Sequence, residues 1–321
     1  MPYLDYSEMP AFLERFFNHP GELEKRLVGP DRKYDSGYFD IIRFFGLDKI
    51  LPENILIKYL PHSFCFNEPL IAEYSELMEK QLRLEKRLYP GPTVMNLAGF
   101  DLGISPAVMT VQDVAYGMVA GSSYTLDFKH PLFKKTGGTL RYYYKTQYPS
   151  HRLEDSPLAN CLGVCGYLVL NEENKRYLLQ VTRSARVASL ENTRGPSVAG
   201  GVDFVKGYAN LKQLMDNALS EEIKEELNID KGHYTLVPLA YAREIFRGER
   251  PQLFMLVETS LTRKDIINRR KIMKSSFEEI ADCEFIVLPS GNTLDTAVID
   301  SLNHEARMNY YLMREYWSQG G

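Results

Sequence analysis

The chain has 321 residues, of which 44% are hydrophobic and 25% charged, and its formal net charge at pH 7 is −4. This composition is that of a folded protein and excludes disordered, collagen-like and coiled-coil chains, while the length predicts two domains or one large one. The slight excess of acids argues against nucleic-acid binding through bulk charge, but it leaves room for a local basic pocket that holds phosphates.

The first half of the chain divides into two parts. Residues 1–90 carry apolar side chains at three- and four-residue steps and are predicted to be a helical N-terminal region, with helices around residues 9–17 and 71–82. Residues 91–156 are predicted to be a strand-rich accessory module that ends in the strand TLRYYYKTQY (139–148). The polar segment HRLEDSPLAN (151–160) contains a proline and is predicted to be a linker.

Residues 157–321 alternate between strand-like and helix-like segments. Two strands joined by NEENK predict a hairpin, and a glycine-rich loop follows it. An amphipathic helix is predicted to begin at Asn210, with Asn228 as its left-handed C-terminal cap. Two strands joined by RGER, a further strand CEFIVLP and a long closing helix over 294–317 complete the prediction.

The cysteines and the N-terminus bear on the cellular compartment. The four cysteines are sparse and form no CxxC pair, which indicates neither a disulfide framework nor a structural zinc site. The sequence has no basic start followed by an apolar stretch, and no window approaches the ~18 apolar residues of a membrane span. We therefore expect a cytoplasmic protein without a membrane partner.

The predicted helix carries an unusual density of acids. Glu221, Glu222, Glu225 and Glu226 lie within six positions. At helical spacing the last three share one face, where like charges repel by about 0.2–0.5 kcal/mol per pair. A divalent cation converts that repulsion into binding, because hard carboxylate oxygens suit Mg²⁺ or Mn²⁺.

An acidic helix also has a simpler interpretation. Taken alone, EEIKEE is most often a solvated surface face. The order of the elements favours a site instead: a hairpin, a glycine-rich loop, the acidic helix, two more strands and a closing helix. The sequence contains no P-loop motif, and its six histidines are scattered without metal-ligand spacing.

In these residues the sequence resembles the Nudix hydrolase superfamily. The signature of that family is Gly, five residues, Glu, seven residues, and then Arg-Glu-apolar-any-Glu-Glu-any-Gly-apolar. The second half matches at residues 222–229 except at Asn228, and Gly207 lies at the distance of the signature glycine. An alternative alignment takes Gly201 as that glycine and inserts six residues before the helix, and the sequence leaves both open.

The resemblance covers about residues 157–321. It implies an α+β fold in which a Nudix-type α/β/α sandwich with a mixed sheet follows the helical and strand-rich N-terminal part. Three positions depart from the signature: Glu221 replaces the arginine, Gln213 the first glutamate and Asn228 the glycine. The last change is mild, because asparagine tolerates the left-handed conformation. At the other two positions the charges change in opposite directions: Glu221 is acidic where the family is basic, and Gln213 is neutral where the family is acidic. This is compatible with a preserved local contact and also with a lost site.

The resemblance further implies roles for the acids. Glu222, Glu225 and Glu226 are implied to be the ligands of Mg²⁺ or Mn²⁺, and Glu225, Glu226 or a later acid the general base. Glu244 is the candidate for that later acid, with Glu249 behind it. The alternative for Glu244 is a surface acid at the end of a strand.

Glycines and arginines are the candidates for binding the substrate. Gly200 and Gly201 allow backbone N–H groups to come close to a phosphate. Arg183 and Arg186, and also Arg194, are candidates for charge-assisted bonds to phosphates, with an ordinary role in loop solubility as the alternative.

Three functions are compatible with these features. The first is metal-dependent hydrolysis of the pyrophosphate bond in a nucleoside diphosphate linked to another group, such as an ADP-ribose-like compound or a sugar nucleotide. The second is a Nudix-fold sensor that binds a nucleotide without hydrolysing it. The third is an interaction protein whose acidic helix is merely solvated. We expect a small nucleotide-type partner, no nucleic acid, and a homodimer as a possible assembly.

Overall fold

The computed structural model describes residues 38–47, 49–88, 91–136, 138–148, 152–185, 187, 190, 192–272, 280–289 and 296–321. The helix predicted around residues 9–17, and the candidate Arg186, therefore lie outside the described residues. None of the helices in the described part of the chain is long and apolar enough to cross a membrane.

Eleven strands form two sheets within the described residues. In chain order they are β1 (Tyr38–Arg43), β2 (Ile55–Tyr59), β3 (Thr93–Asp101), β4 (Ala107–Ala115), β5 (Gly163–Glu172), β6 (Lys175–Arg183), β7 (Arg194–Gly195), β8 (Val198–Gly201), β9 (Tyr234–Glu244), β10 (Arg250–Thr259) and β11 (Ile280–Leu288). The large sheet has the order β1-β9-β10-β5-β6-β11, with β7 beside β6 and β8 beside β5. It is mixed, because β5 and β10 run parallel whereas β9 and β10 are antiparallel.

The small sheet has the order β2-β4-β3. β2 and β4 are parallel, and β3 and β4 are antiparallel. β3 and β4 both lie in residues 91–156, which the sequence predicts to be rich in strands. β2, in contrast, comes from the region that the sequence predicts to be helical.

Seven α-helices accompany the sheets in the described residues: α1 (Pro69–Leu84), α2 (Tyr116–Ser122), α3 (Leu140–Gln147), α4 (Leu211–Leu227), α5 (Arg263–Ile272), α6 (Thr296–Ser301) and α7 (His304–Ser318). Leu219 and Ile223 of α4 are buried in a core that includes Val164 of β5. On the other face of the sheet, Tyr310 of α7 belongs to a second core that includes Cys165. The predicted α/β/α sandwich with a mixed sheet is confirmed.

The burial of β5 explains its long apolar run. Successive side chains of a strand point to opposite faces of a sheet, so Val164 contributes to the α4 core and Cys165 to the α7 core. Every residue from position 163 to 170 is buried. A strand that is covered on both faces lacks the polar alternation of a surface strand. Its hairpin with β6 is confirmed, and the turn residues Glu173 and Asn174 have φ angles of 51° and 59°.

Two predicted elements differ from the structure. The prediction of a strand over residues 139–148 is wrong, because residues 140–147 form the helix α3. Thr139 caps this helix by accepting a hydrogen bond from the backbone N–H of Tyr142, and Leu140 and Tyr144, one turn apart, are both buried. The closing helix is divided into α6 and α7, because Asn303 caps a new helix by accepting from the N–H of Ala306.

The N-terminal part and the C-terminal sheet are structurally continuous. β1 pairs with β9 and therefore extends the large sheet at its edge. The segment predicted as a linker is packed against β3: Leu158 is fully buried, and the N–H of Asn160 donates to Oδ1 of Asn96 at 2.6 Å. The proposed boundaries at residues 90 and 156 stay a prediction.

Candidate functional site

The acidic helix α4 is fixed at both ends by its own sequence. At its start, Oδ1 of Asn210 accepts a hydrogen bond from the N–H of Gln213 at 3.0 Å, and Oε1 of Gln213 accepts one from the N–H of Ala209 at 3.0 Å. This exchange resembles a capping box. At the other end Asn228 has a φ of 54° and confirms the predicted left-handed cap. Gln213, which stands for the first signature glutamate in one alignment, therefore has a structural use.

The helix brings one predicted acid against the glycine-rich strand. Gly200 pairs with Val164 of β5, so a side chain at this position would point to the α4 side of the sheet. A Cβ placed on Gly200 would overlap the carboxylate of Glu222. The missing side chain therefore makes the close approach of this half-buried acid possible. The predicted neighbourhood of glycine loop and acidic helix is present in the structure.

The three acids of the helix have different surroundings. Glu222 is half-buried, Glu225 is exposed, and Glu226 is buried with 7% of its surface accessible. Within the described residues, no group of three or more His, Cys, Asp or Glu side chains could hold a metal ion as it stands. The donor chemistry suits a hard divalent cation, and Gly200 provides a cradle for Glu222. The three carboxylates themselves are not gathered around one point.

The two glycines that compete for the signature position lie in different places. Gly201 ends β8 and pairs with Gly163 of β5. Gly207 lies in the segment between β8 and the helix, with a φ of 116° that favours glycine. We call residues 202–209, which join β8 to the cap of α4, the insertion loop, because they include the six inserted residues of the second alignment.

Glu244 is the centre of a buried charged group. It is fully buried at the end of β9, where Arg247 donates to its Oε2 at 2.6 Å and Nε2 of His304 lies 2.5 Å from its Oε1. Burial raises the pKa of the Glu244 carboxyl, but the charges of Arg247 and His304 outweigh it and lower the pKa to about 2. Arg247 also donates to Oε1 of Glu305 at 3.2 Å. These partners favour an ion-pair role for Glu244.

A second buried ion-pair group adjoins the first. Glu249 accepts a hydrogen bond from Nη2 of Arg243 at 2.9 Å and forms an ion pair with Lys145 of α3. Arg141, on the same helix, binds Asp127 through two hydrogen bonds of 2.7 and 2.8 Å. α3 thereby ties the accessory module to the turn between β9 and β10.

The candidate acids lie on opposite faces of the large sheet. Glu222 belongs to α4 and approaches Gly200 on the α4 side. Glu244 has the same orientation as Ala242, which belongs to the core on the α7 side, and it contacts His304 of α7. The structure therefore brings together the glycine strand and Glu222 but places Glu244 across the sheet from them.

The two described candidate arginines lie near the end of β6. The side chain of Arg183 is half-buried, and its Nε has no hydrogen-bond partner among the residues that the structure describes. Arg194 donates to Oγ of Ser301 at 2.8 Å and forms an ion pair with Glu284. The role of either side chain in binding phosphate stays a prediction.

Sequence reasoning missed the buried charges around Glu244. His304 is one of the six scattered histidines to which the sequence assigned no role, and only 7% of it is accessible. Arg250, 3% accessible, donates from Nε to the carbonyl of Cys161 at 3.1 Å. The density of charge in AREIFRGER, between two apolar strands, was the available signal, because charges that close to a core require partners.

Comparisons with known proteins give the following results. No family model matches the sequence, and no curated protein matches it. Among solved structures, a mutT/nudix family protein from Listeria innocua is 12% identical over 50% of this chain and 93% of that chain, with a TM-score of 0.34. An Ap4A hydrolase from C. elegans is 15% identical over 49% of this chain and 97% of that chain, with a TM-score of 0.32.

A third similar structure is the NUDIX domain of NrtR from Shewanella oneidensis, which was solved in complex with ADP ribose. It is 14% identical over 50% of this chain and 89% of that chain, with a TM-score of 0.34. Nudix proteins are among the solved structures to which the chain is similar.

Proposed function

We propose that residues 157–321 form a Nudix-type pyrophosphohydrolase, which cleaves the pyrophosphate bond of a nucleoside diphosphate linked to another moiety. ADP-ribose-like compounds and sugar nucleotides are the proposed substrates. One observation carries the proposal: the carboxylate of Glu222 lies against the bare backbone of Gly200, so that an acidic helix meets a glycine-rich strand. Such a junction can place a cation and backbone donors on one diphosphate.

Glu222, Glu225 and Glu226 are the proposed ligands of Mg²⁺ or Mn²⁺. Their hard oxygens match the preference of these ions. When bound, the ion supplies positive charge that neutralises the diphosphate and acidifies water. Of the three acids, Glu225 is the exposed one, so its carboxylate needs the smallest rearrangement to bind an ion from solvent. Arg183 and Gly201 are proposed to hold the phosphates.

The proposed reaction is a displacement at phosphorus. The oxygen of a water molecule forms a new bond to one phosphorus atom while the bond from that atom to the bridging oxygen breaks. The electron pair remains on the bridging oxygen, which leaves as part of the second phosphate, and Glu225 accepts the proton from water. Both products are phosphate monoesters. Catalytic use of Glu226 or Glu244 stays a prediction.

The test compares two exposed acids on the same helix. The purified protein is incubated with Mg²⁺ or Mn²⁺ and a panel containing ADP-ribose and sugar nucleotides. We expect metal-dependent product formation that falls by at least about 100-fold in Glu225→Gln. Glu221→Gln removes the same charge one turn away and is expected to retain most of the activity. Equal activity in wild type and Glu225→Gln, or no turnover of any nucleotide, would contradict the proposal.

A second candidate function is nucleotide binding without hydrolysis. The capping role of Gln213 favours it, because this side chain is engaged at the helix start rather than with the acids. Calorimetry that shows nucleotide affinity in the absence of turnover would support this function, whereas rapid turnover would exclude it. Homodimerisation and a cytoplasmic location are further proposals, which light scattering and fractionation can test.

A further inference from the structure

The insertion loop, residues 202–209, is held mainly by the small N-terminal sheet. At its start, the N–H of Met95 in β3 donates to the carbonyl of Val202 at 2.7 Å. The N–H of Phe204 donates to the carbonyl of Thr93 at 2.9 Å. At its end, the N–H of Ile57 in β2 donates to the carbonyl of Ala209 at 3.3 Å. Strands β3 and β2 therefore hold opposite ends of the loop.

One side chain of the small sheet reaches the middle of the loop. The hydroxyl of Tyr59, the last residue of β2, accepts a hydrogen bond from the N–H of Tyr208 at 3.0 Å and donates one to the carbonyl of Val205 at 3.3 Å. Its ring also packs edge-to-face on Phe204, with centroids 6.0 Å apart. A single residue thus contacts both arms of the loop.

The loop connects the two halves of the candidate site. It begins directly after Gly201 and ends at Asn210, the cap from which the acidic helix starts. Any displacement of the loop changes where the helix starts relative to the glycine strand. Because the loop is long and carries exposed residues such as Val205 and Gly207, it depends on contacts from outside for its conformation.

We propose that Tyr59 is a positioning residue, which fixes the insertion loop so that the glycine strand and the acidic helix form one phosphate-binding arrangement. The catalytic consequence of this inference rests on the proposed function, whereas the contacts of Tyr59 with the loop do not depend on it. It gives the N-terminal part of the chain a specific task at the site. It also places a determinant of substrate affinity outside residues 157–321.

The test uses Tyr59→Phe, which removes the hydroxyl and keeps the ring against Phe204. Tyr148→Phe is the matched control, because Tyr148 is also half-buried and its hydroxyl donates one hydrogen bond at 2.9 Å to Glu68, a residue outside the loop. Hydrogen exchange of the 202–209 amides is measured first. We expect exchange to become at least about fivefold faster in Tyr59→Phe, because one net hydrogen bond supplies that factor and two are lost, and to be unchanged in Tyr148→Phe.

Kinetics then separate positioning from support of the fold. With Mg²⁺ and the best substrate of the panel, Tyr59→Phe is expected to raise KM about fivefold while kcat changes less than about twofold, because binding is affected before chemistry. Faster exchange with unaltered KM would mean that the loop is held but does not serve the site, which overturns the proposal. Unaltered exchange would overturn it as well.

Failure of the proposed function is recognised separately. If the wild-type protein hydrolyses no nucleotide, the exchange comparison still decides whether Tyr59 holds the loop. The affinity for ADP-ribose with Mg²⁺, measured by calorimetry on the same two variants, then replaces KM. Equal affinities in Tyr59→Phe and wild type would overturn the positioning role.

Discussion

Replacement of Glu244 by glutamine is expected to destabilise the protein in a pH-dependent way. The amide is nearly isosteric, but it removes the charge that faces Arg247 at 2.6 Å and His304 at 2.5 Å. Burial raises the pKa of Glu244, but the interactions with Arg247 and His304 outweigh it and lower the pKa from its ordinary value of 4.5 to about 2. That difference corresponds to about 3 kcal/mol of stability at neutral pH.

The sign of the pH dependence follows from the depressed pKa. Above pH 4.5 the carboxyl is ionised in both folded and unfolded chains, and its stabilising contribution is fully present. As the pH falls from 4.5 towards 2, the unfolded chain takes up a proton before the folded one, and the contribution is lost. The wild type should therefore lose stability over this range more steeply than Glu244→Gln.

Urea unfolding at pH 7, 5, 4 and 3 measures this difference. Glu258→Gln is the control, because Glu258 is an exposed acid on β10 in the same sheet. We expect a loss of about 3 kcal/mol for Glu244→Gln at pH 7 and within about 0.5 kcal/mol for Glu258→Gln. If the two variants lost the same small amount, with equal slopes against pH, the ion-pair interpretation of Glu244 would be refuted.

Two further substitutions test the geometry of the site. Gly200→Ala is expected to displace the Glu222 carboxylate and weaken Mg²⁺ binding at least about tenfold by calorimetry, whereas Gly232→Ala, where a Cβ meets no atom within 4 Å, should leave it unchanged. Equal Mg²⁺ affinity in both variants would show that the contact between Gly200 and Glu222 does not contribute to metal binding. Asn228→Ala is expected to lower the free energy of unfolding by about 1 kcal/mol, because alanine is strained at a φ of 54°, while Asn228→Gly should be nearly neutral. A stable Asn228→Ala would contradict the capping argument.

Local signals in the sequence were sufficient for much of the C-terminal half. Helix α4 was predictable because its apolar positions recur at helical spacing and because Asn210 and Asn228 cap it. The β5–β6 hairpin followed from two apolar runs around a short polar turn. The approach of the glycine strand to the acidic helix was also predictable, because the two segments are close in the chain.

Other features depended on contacts between distant segments. The aromatic run 142–144 has the composition of a strand, yet it forms a helix because Thr139 caps it and Tyr144 packs in a core with Leu126 and Phe133. Propensity is a weak preference, which tertiary packing overrides. The pairing of β1 with β9 joins positions about 200 residues apart, and no local pattern specifies it.

The sequence by itself determined the features that depend on neighbouring residues. These are the caps and the apolar face of α4, the hairpin turns, and the presence of several acids close to glycines. Only the tertiary structure decided the side of the sheet on which each acid lies. Side chains alternate between the two faces along β9, and the position of Glu244 in the strand directs it to the face opposite Glu222. It also decided that Tyr59, more than 140 residues before the insertion loop, contacts that loop. Hydrogen bonds between remote residues depend on sheet register and packing, which the order of residues in either segment does not encode alone.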